Sequence, residues 1–475
     1  MNSFMTAFGL ASVALCIGTF LRAKIPALRN MLVPASVIAG IIGVIFMNLA
    51  TQFKVNIGTD SQMYTEIVNH LFTISFISIC LTGASKSKDN TPKHILKGTL
   101  GMGGVWCLLY ALTPLIGFGL ITLLGKSFDM DSVYGTLIPF AFTQGPGQAA
   151  SYGALYEQFG WENAAMVGVT FAAIGFVVAF LVGIPAAKLG VSRGIAKNCG
   201  AIDSSILKGY LKKEEQTNYM VKDTTCNSNI ETLTFHFALM GLCYIFAIGI
   251  SKVFALIPGF LGQSMSGLMF MNGMVAAYIV KFLMKKLNID FLQEDVLQTK
   301  ITGWTADYLV VCAFMAVGFH VLGSWLVPII VESLIITVVT FIVCFYFGQR
   351  IGGSNDFERT LGLYGTATGT VPSGIALVRI VDPEFKTSTA VELGLMNLVM
   401  LLTVPVYLVL LAMASGDLST NMAMLALAGL CVVYLIFMKV TRTWGQKTFS
   451  WKKSKEEENG NNLLWRTDSD YGKAE

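Results

Sequence analysis

Charge is what this chain is short of. Only 13% of its 475 residues are Asp, Glu, Lys or Arg, about half the share of a soluble domain. Apolar residues make up 54%, and the mean hydropathy is +0.63. Those figures argue against a water-soluble enzyme and against a disordered or fibrous chain. The net charge of +4 is too small and too scattered to serve a nucleic acid. The nine cysteines include no CxxC pair and no metal-ligand spacing, so they read as reduced packing residues. There is no Walker pattern, and the apolar runs hold no paired carboxylates, His cluster or Ser/Lys pair. No cofactor and no intramembrane enzyme chemistry is therefore expected. What remains is an all-α integral membrane protein.

A membrane span needs about 20 mostly apolar residues. Besides Phe4–Leu21, ten stretches qualify: 31–50, 67–84, 95–124, 163–187, 231–257, 263–285, 304–326, 328–347, 386–413 and 421–440. Met1–Ser3 carries no basic residue, so the first stretch reads as a retained helix and not as a secretory leader. Two further apolar segments, 133–160 and 356–382, are interrupted by glycine clusters. Basic residues mark the cytoplasmic side. They crowd the loops after 21, 84 and 285, the polar interval 188–230 and the tail, whereas 51–66, 125–132 and 414–420 are poor in them. All the basic loops share one side if 133–160 enters and leaves from outside and 356–382 enters and leaves from the cytoplasm. Both are then re-entrant hairpins. The expected topology has about eleven transmembrane helices, an external amino terminus and a cytoplasmic carboxyl terminus.

A shift of 222 residues superposes the two interrupted segments, matching Gly147 with Gly369, Ser151 with Ser373, Ala154 with Ala376, Leu155 with Leu377 and Glu162 with Glu384. Each half has four spans, a broken segment and one more span, starting on opposite sides. The chain is therefore expected to divide into an N-terminal repeat (1–187, hairpin 133–160), a cytoplasmic linker (188–230), an inverted C-terminal repeat (231–413, hairpin 356–382), an extra span (414–440) and a tail (441–475), the last a partly disordered extension. Inverted repeats with broken membrane segments are the arrangement of secondary transporters, whose site lies where the breaks converge.

The first break reads Thr143-Gln144-Gly145-Pro146-Gly147-Gln148-Ala149-Ala150-Ser151. Glycines free the backbone and proline ends a helix. The restarting helix would aim unpaired N–H groups at an anion, a ready site for a carboxylate. Thr143, Gln144, Gln148 and Ser151 add neutral donors and acceptors. The second break holds Thr366, Thr368, Gly369, Thr370 and Ser373, with Thr370 at an N-cap position before Pro372. Its hydroxyls and freed carbonyls suit a hard cation such as sodium. Arg379 either clamps a carboxylate or reaches to water from the hairpin's edge. Glu392, Asn397 and Asn272 are further polar residues inside spans.

The stretches QGPGQAASYG…YEQFGWENAAMVG and GLYGTATGTVPSGIALVRIVDPE, with the two glycine-rich hairpins, resemble the bacterial sodium/glutamate symporters. The resemblance implies sodium-coupled import of glutamate or a similar amino-acid carboxylate across the bacterial inner membrane. It also implies five spans plus a hairpin per half, a homodimer among membrane lipid and an elevator-like movement. Thr143, Gln144, Gly145, Gly147, Gln148, Ser151 and Arg379 would then face the substrate. Thr366, Thr368, Gly369, Thr370 and Ser373 would face sodium. A related transporter of di- or tricarboxylates is the alternative.

Overall fold

The computed structural model describes residues 3–26, 28, 33–82, 92–196, 198, 223–226, 228–258, 260–382 and 386–451. Among them every regular element is helical. Most of the expected linker and the tail beyond 451 lie outside the described residues.

The first half comprises α1 (Ser3–Lys24), α2 (Ala35–Gln52), α3 (Ser61–Leu81) and α4 (Pro92–Leu124), then a 3-10 turn (Ser132–Leu137) leading into α5 (Ile138–Phe142), α6 (Pro146–Gln158) and α7 (Ala164–Ser192). The second comprises α8 (Thr232–Phe254), α9 (Phe260–Gly267), α10 (Met269–Lys286), α11 (Asp295–Met315), α12 (Leu326–Gly348), α13 (Asp356–Thr368), α14 (Val371–Val381), α15 (Thr389–Val399), α16 (Val404–Ala414) and α17 (Thr420–Val440). Side-chain caps set two of the starts. The Asp60 carboxylate accepts from Met63 N at 2.9 Å ahead of α3, and that of Glu231 from Thr234 N at 3.0 Å ahead of α8.

Among the described residues, eight helices are long and apolar enough to cross a membrane: α1 to α4, α7, α8, α12 and α17. The pair α15–α16, bent by 41°, counts as a ninth. The chain is thus an all-helical, multi-pass membrane protein. α10 and α11 are as long but each carries three charged residues, Lys281, Lys285 and Lys286 in one, Asp295, Lys300 and Asp307 in the other.

Three expected boundaries shift. The stretch 304–326 is not one helix, because α11 starts at Asp295 and ends at Met315. Its polar start meets neighbouring α3, where Gln298 Nε2 and Thr302 Oγ1 donate to Ser78 Oγ at 2.9 and 2.8 Å. The stretch 263–285 breaks at Leu268, where Asn272 Nδ2 donates to the Met265 carbonyl at 3.1 Å. Residues 441–451 are packed and not an open extension, as the aromatic residues Trp444, Phe449 and Trp451 lie against the helices above them.

The helices pack in two groups. In the first, α3 and α11 form the central pair, with α2 on α11 and α10 on α3; α1 lies against α2 and α11, and α8 against α10 and α3. Gly18 allows the close approach of α1 to α2, since a Cβ there would sit 2.7 Å from the Ala35 carbonyl oxygen and the Ala39 nitrogen. In the second, α4 packs on α12, α15 and α17, and α7 packs on α5, α6, α13 and α14. α7 is the central helix, 78% of its most apolar window being buried against 22% for α1 and for α17. The groups meet where α3 and α11 touch α6 and α7.

Candidate functional site

Both broken segments fold as helix–break–helix pairs with the breaks in contact. In the first, α5 ends at Phe142 and Gly145 takes φ +87°, a left-handed conformation that glycine supplies without strain. Pro146 then opens α6 at the position where its missing N–H costs nothing. In the second, α13 ends at Thr368, Gly369 and an extended Thr370 (φ −150°) make the break, and α14 follows. A Cβ on Gly145 would overlap Thr370 Cγ2 and lie 3.1 Å from the Gly369 carbonyl oxygen. Gly175 of α7 backs both breaks, lying against the Thr368 carbonyl and the Phe142 ring.

Neither following helix is capped by a side chain. Gly145 has none to offer, and Thr370, at the N-cap position foreseen for it, makes no cap bond; its hydroxyl lies 3.5 Å from Ser373 Oγ. Two helix N-termini with open N–H groups thus converge, that of α6 buried and that of α14 half-buried at Thr370 and Val371 with Pro372 exposed, which is the electrostatic arrangement that favours an anion.

The other candidates divide by what they touch. The Thr143 carbonyl accepts from Trp106 Nε1 at 2.8 Å, and the Thr143 hydroxyl donates to the Pro139 carbonyl. Gln148 Oε1 accepts from the Tyr110 hydroxyl at 3.2 Å, leaving its amide NH₂ for another partner. Ser151 bonds Asn69 of α3. Gln144 Nε2 and the Tyr152 hydroxyl are buried with no hydrogen-bond partner, so donors stand unused beside the break. Gly147 lies against the Phe72 ring of α3. Thr366 and Thr368 donate to the Gly362 and Tyr364 carbonyls of their own helix, each at 2.8 Å; their lone pairs remain as oxygen ligands. Arg379 is not brought to the breaks. It sits in the last turn of α14, about 12 Å along the axis from Val371, with its side chain exposed.

Residues 2–387 match the sodium/glutamate symporter family, a stretch that includes both broken segments. The chain belongs to that family. No curated protein matches the chain. The helical pairs carrying the two breaks, α5–α6 and α13–α14, thus lie inside the part that this sodium/glutamate symporter family member shares with its family, whereas α15, α16, α17 and the packed segment 441–451 lie beyond it.

At the start of α13, sequence reasoning overlooked Arg359. It is fully buried. Its Nε and Nη2 donate to Glu392 Oε2 and Oε1 at 2.7 and 2.6 Å, and its Nη1 to Asp356 Oδ1 at 3.0 Å. Nη2 also reaches the His94 carbonyl at 3.2 Å, and Ser388 Oγ donates to Glu392 Oε1 at 2.7 Å. Asp356 Oδ2 accepts from Gly352 N at 2.7 Å and Thr448 Oγ1 at 2.8 Å. This fork ties α13 to α4, to α15 and to the segment after α17. The Asp356–Arg359 spacing of three, on a helix otherwise leading into apolar sequence, was the one local signal for it. Glu392, expected as a polar residue inside a span, is thus paired; the Asn397 side chain lies outside the described residues.

Proposed function

We propose that this protein is a sodium-driven importer of glutamate or a closely similar amino-acid carboxylate. The observation that carries the reading is the contact of the two breaks, Gly145 against Thr370 and Gly369, with two uncapped helix N-termini, that of α6 buried and that of α14 partly exposed. The substrate carboxylates take the open N–H groups of α6 and α14 and the unused amides of Gln144 and Gln148. Sodium takes oxygen ligands from Thr366, Thr368, Gly369, Thr370 and Ser373, a neutral set that suits a hard monovalent cation. Its charge next to the bound anion lets the pair cross the membrane with less uncompensated charge than either alone. Arg379, exposed at the cytoplasmic edge of α14, is an entry residue in this reading.

Alternating access follows from an inverted repeat. Support comes from the packing: α1 on α2 is echoed by α8 on α10, α2 on α11 by α10 on α3, and α1 on α11 by α8 on α3. In the second group, the 132–137 turn on α4 is echoed by α13 on α12, and α6 on α7 by α14 on α15. Eleven spans arise when α10 and α11 join the nine, with the broken pairs as re-entrant hairpins opening outward (α5–α6) and to the cytoplasm (α13–α14). The first helix group is the scaffold and, in a homodimer, its contact surface. The second carries the site and moves as an elevator. The amino terminus lies outside and the carboxyl terminus in the cytoplasm of the bacterial inner membrane.

Purified protein in liposomes should accumulate labelled glutamate under an inward sodium gradient and lose that accumulation when potassium replaces sodium. Equal uptake without sodium, or uptake of citrate or succinate but of no acidic amino acid, refutes the reading.

A further inference from the structure

Glu332 takes no part in the breaks or in the Arg359 fork. It lies in the second turn of α12, is fully buried, and neither of its carboxylate oxygens has a hydrogen-bond partner. Two glycines form its slot. The Glu332 Oε1 atom and the Gly135 carbonyl oxygen both press on Gly117 of α4, where a Cβ would overlap both; a Cβ on Gly135 would overlap the Gly117 carbonyl. Gly135 belongs to the turn leading into α5, and Pro139 removes the N–H four residues on. The slot therefore presents carbonyl oxygens, which only accept, to a side chain that when ionised also only accepts.

Among the described residues, no cation of the elements packed around it forms an ion pair with Glu332. α12 contacts α4, α7, α13 and the turn 323–325. On α4 the charged or titratable residues Lys93, His94 and Lys97 occupy the first two turns, and Lys97 is roughly 30 Å along the axis from Gly117. On α7 the charge is Lys188, near the far end. On α13 it is Asp356 and Arg359, engaged as described, and Glu358, whose Oε1 accepts from Asn198 Nδ2 at 3.1 Å, all in the first turn. The turns 323–325 and 132–137 hold none; Asp131, ahead of the latter, accepts from Val133 N at 2.9 Å. The hydroxyls of Tyr110 and Tyr364 already donate to Gln148 and to the Val178 carbonyl. A single proton supplies what the slot lacks, cancelling the charge and converting one oxygen into a donor for a carbonyl acceptor.

We propose that Glu332 is a proton-binding site. The carboxylate takes up one proton from water, the resulting carboxyl donates its O–H to the Gly135 and Gly117 carbonyl cluster, and the helix group bearing it crosses the membrane in this uncharged state. Sodium-driven uptake then falls as the medium becomes alkaline.

Two measurements test this on the full-length protein in liposomes. Infrared difference spectra across a pH titration should contain a protonated-carboxyl C=O band that is lost at alkaline pH and is missing in Glu332→Gln. Under a fixed sodium gradient, the ratio of glutamate uptake at mildly acidic to mildly alkaline pH should be several-fold in the native protein and close to one in E332Q, whose amide is permanently uncharged. An unchanged band together with an unchanged alkaline fall in E332Q overturns the proposal. So does a weakened sodium dependence with an unmoved pH profile, which would make the occupant sodium. Should E332Q fail to insert, Glu332→Asp decides. A shifted band and a shifted alkaline fall uphold the site, and an unmoved pair overturns it.

Discussion

At the scale of single residues, Arg359 shows how costly an interior charge is and how it is kept. Its guanidinium gives up hydration completely, and the two-pronged contact with Glu392, the Asp356 oxygen and the His94 carbonyl take the place of water. Removing one partner of a buried pair strands the other, at a cost of about 3–5 kcal/mol, whereas replacing both by apolar residues of similar volume is often neutral. Arg359→Ala and Glu392→Ala should therefore each lower the thermal unfolding midpoint of the detergent-solubilised protein by several degrees. The double variant Arg359→Met with Glu392→Leu should recover part of that loss, since Asp356 loses its arginine and keeps only Gly352 N and Thr448 Oγ1. Arg359→Lys should fall between, since an ammonium cannot reproduce the planar fork. Additive losses in the double variant would mean that the two residues act independently.

At the scale of elements, the segment after α17 is a strap across the start of α13. Its backbone bonds the end of α12, with Gly445 N donating to the Arg350 carbonyl at 2.8 Å and Thr448 N to the Gln349 carbonyl at 2.9 Å. Phe449 lies edge-on to Phe357 at 5.2 Å, and Trp451 stands 5.5 Å from Phe345. Both aromatics are half-buried, so Phe449→Ala with Trp451→Ala should cost about 2–4 kcal/mol, below the sum for two fully buried rings. Hydrogen exchange should quicken in the first two turns of α13 and stay unchanged in α3 and α11; unchanged exchange in α13 would show the strap to be passive. This element was hidden in the sequence because its neighbours Phe345 and Phe357 are some hundred positions away. The same reason hid the Arg359 fork, whose partners Glu392 and His94 lie 33 and 265 residues distant. The long apolar helices were legible, since about 20 apolar residues can do little else than span a bilayer. The breaks were legible too, because Gly145-Pro146-Gly147 and Gly369 with Pro372 punctuate a helix by local sterics alone. The start of α11 was misplaced because the partner that accepts from its Gln298 and Thr302, Ser78, belongs to another helix.

At the scale of the whole molecule, the elevator reading requires the α4–α7 and α12–α17 group to slide past α3 and α11. The surface between them is suited to sliding: it is lined by rings and small residues, such as Phe72 against Gly147, and is crossed by few polar bonds, Ser151 to Asn69 among them. The two groups also touch where a Cβ on Gly318, just after α11, would lie 3.4 Å from Met166 Sδ of α7. Gly318 has an ordinary φ of −100°, so cysteine fits there without backbone strain, and neither position belongs to the proposed binding set. In a variant lacking the native cysteines, Met166→Cys with Gly318→Cys should be joined by a short thiol cross-linker. Cross-linking should stop glutamate uptake, and cleaving the linker should restore it, while sodium and glutamate still protect the protein against thermal unfolding in the linked form. That separation of binding from transport is what distinguishes a moving body from a damaged site. Uptake that continues at the native rate in fully cross-linked protein would refute relative movement of the two groups and would confine alternating access to the hairpins themselves.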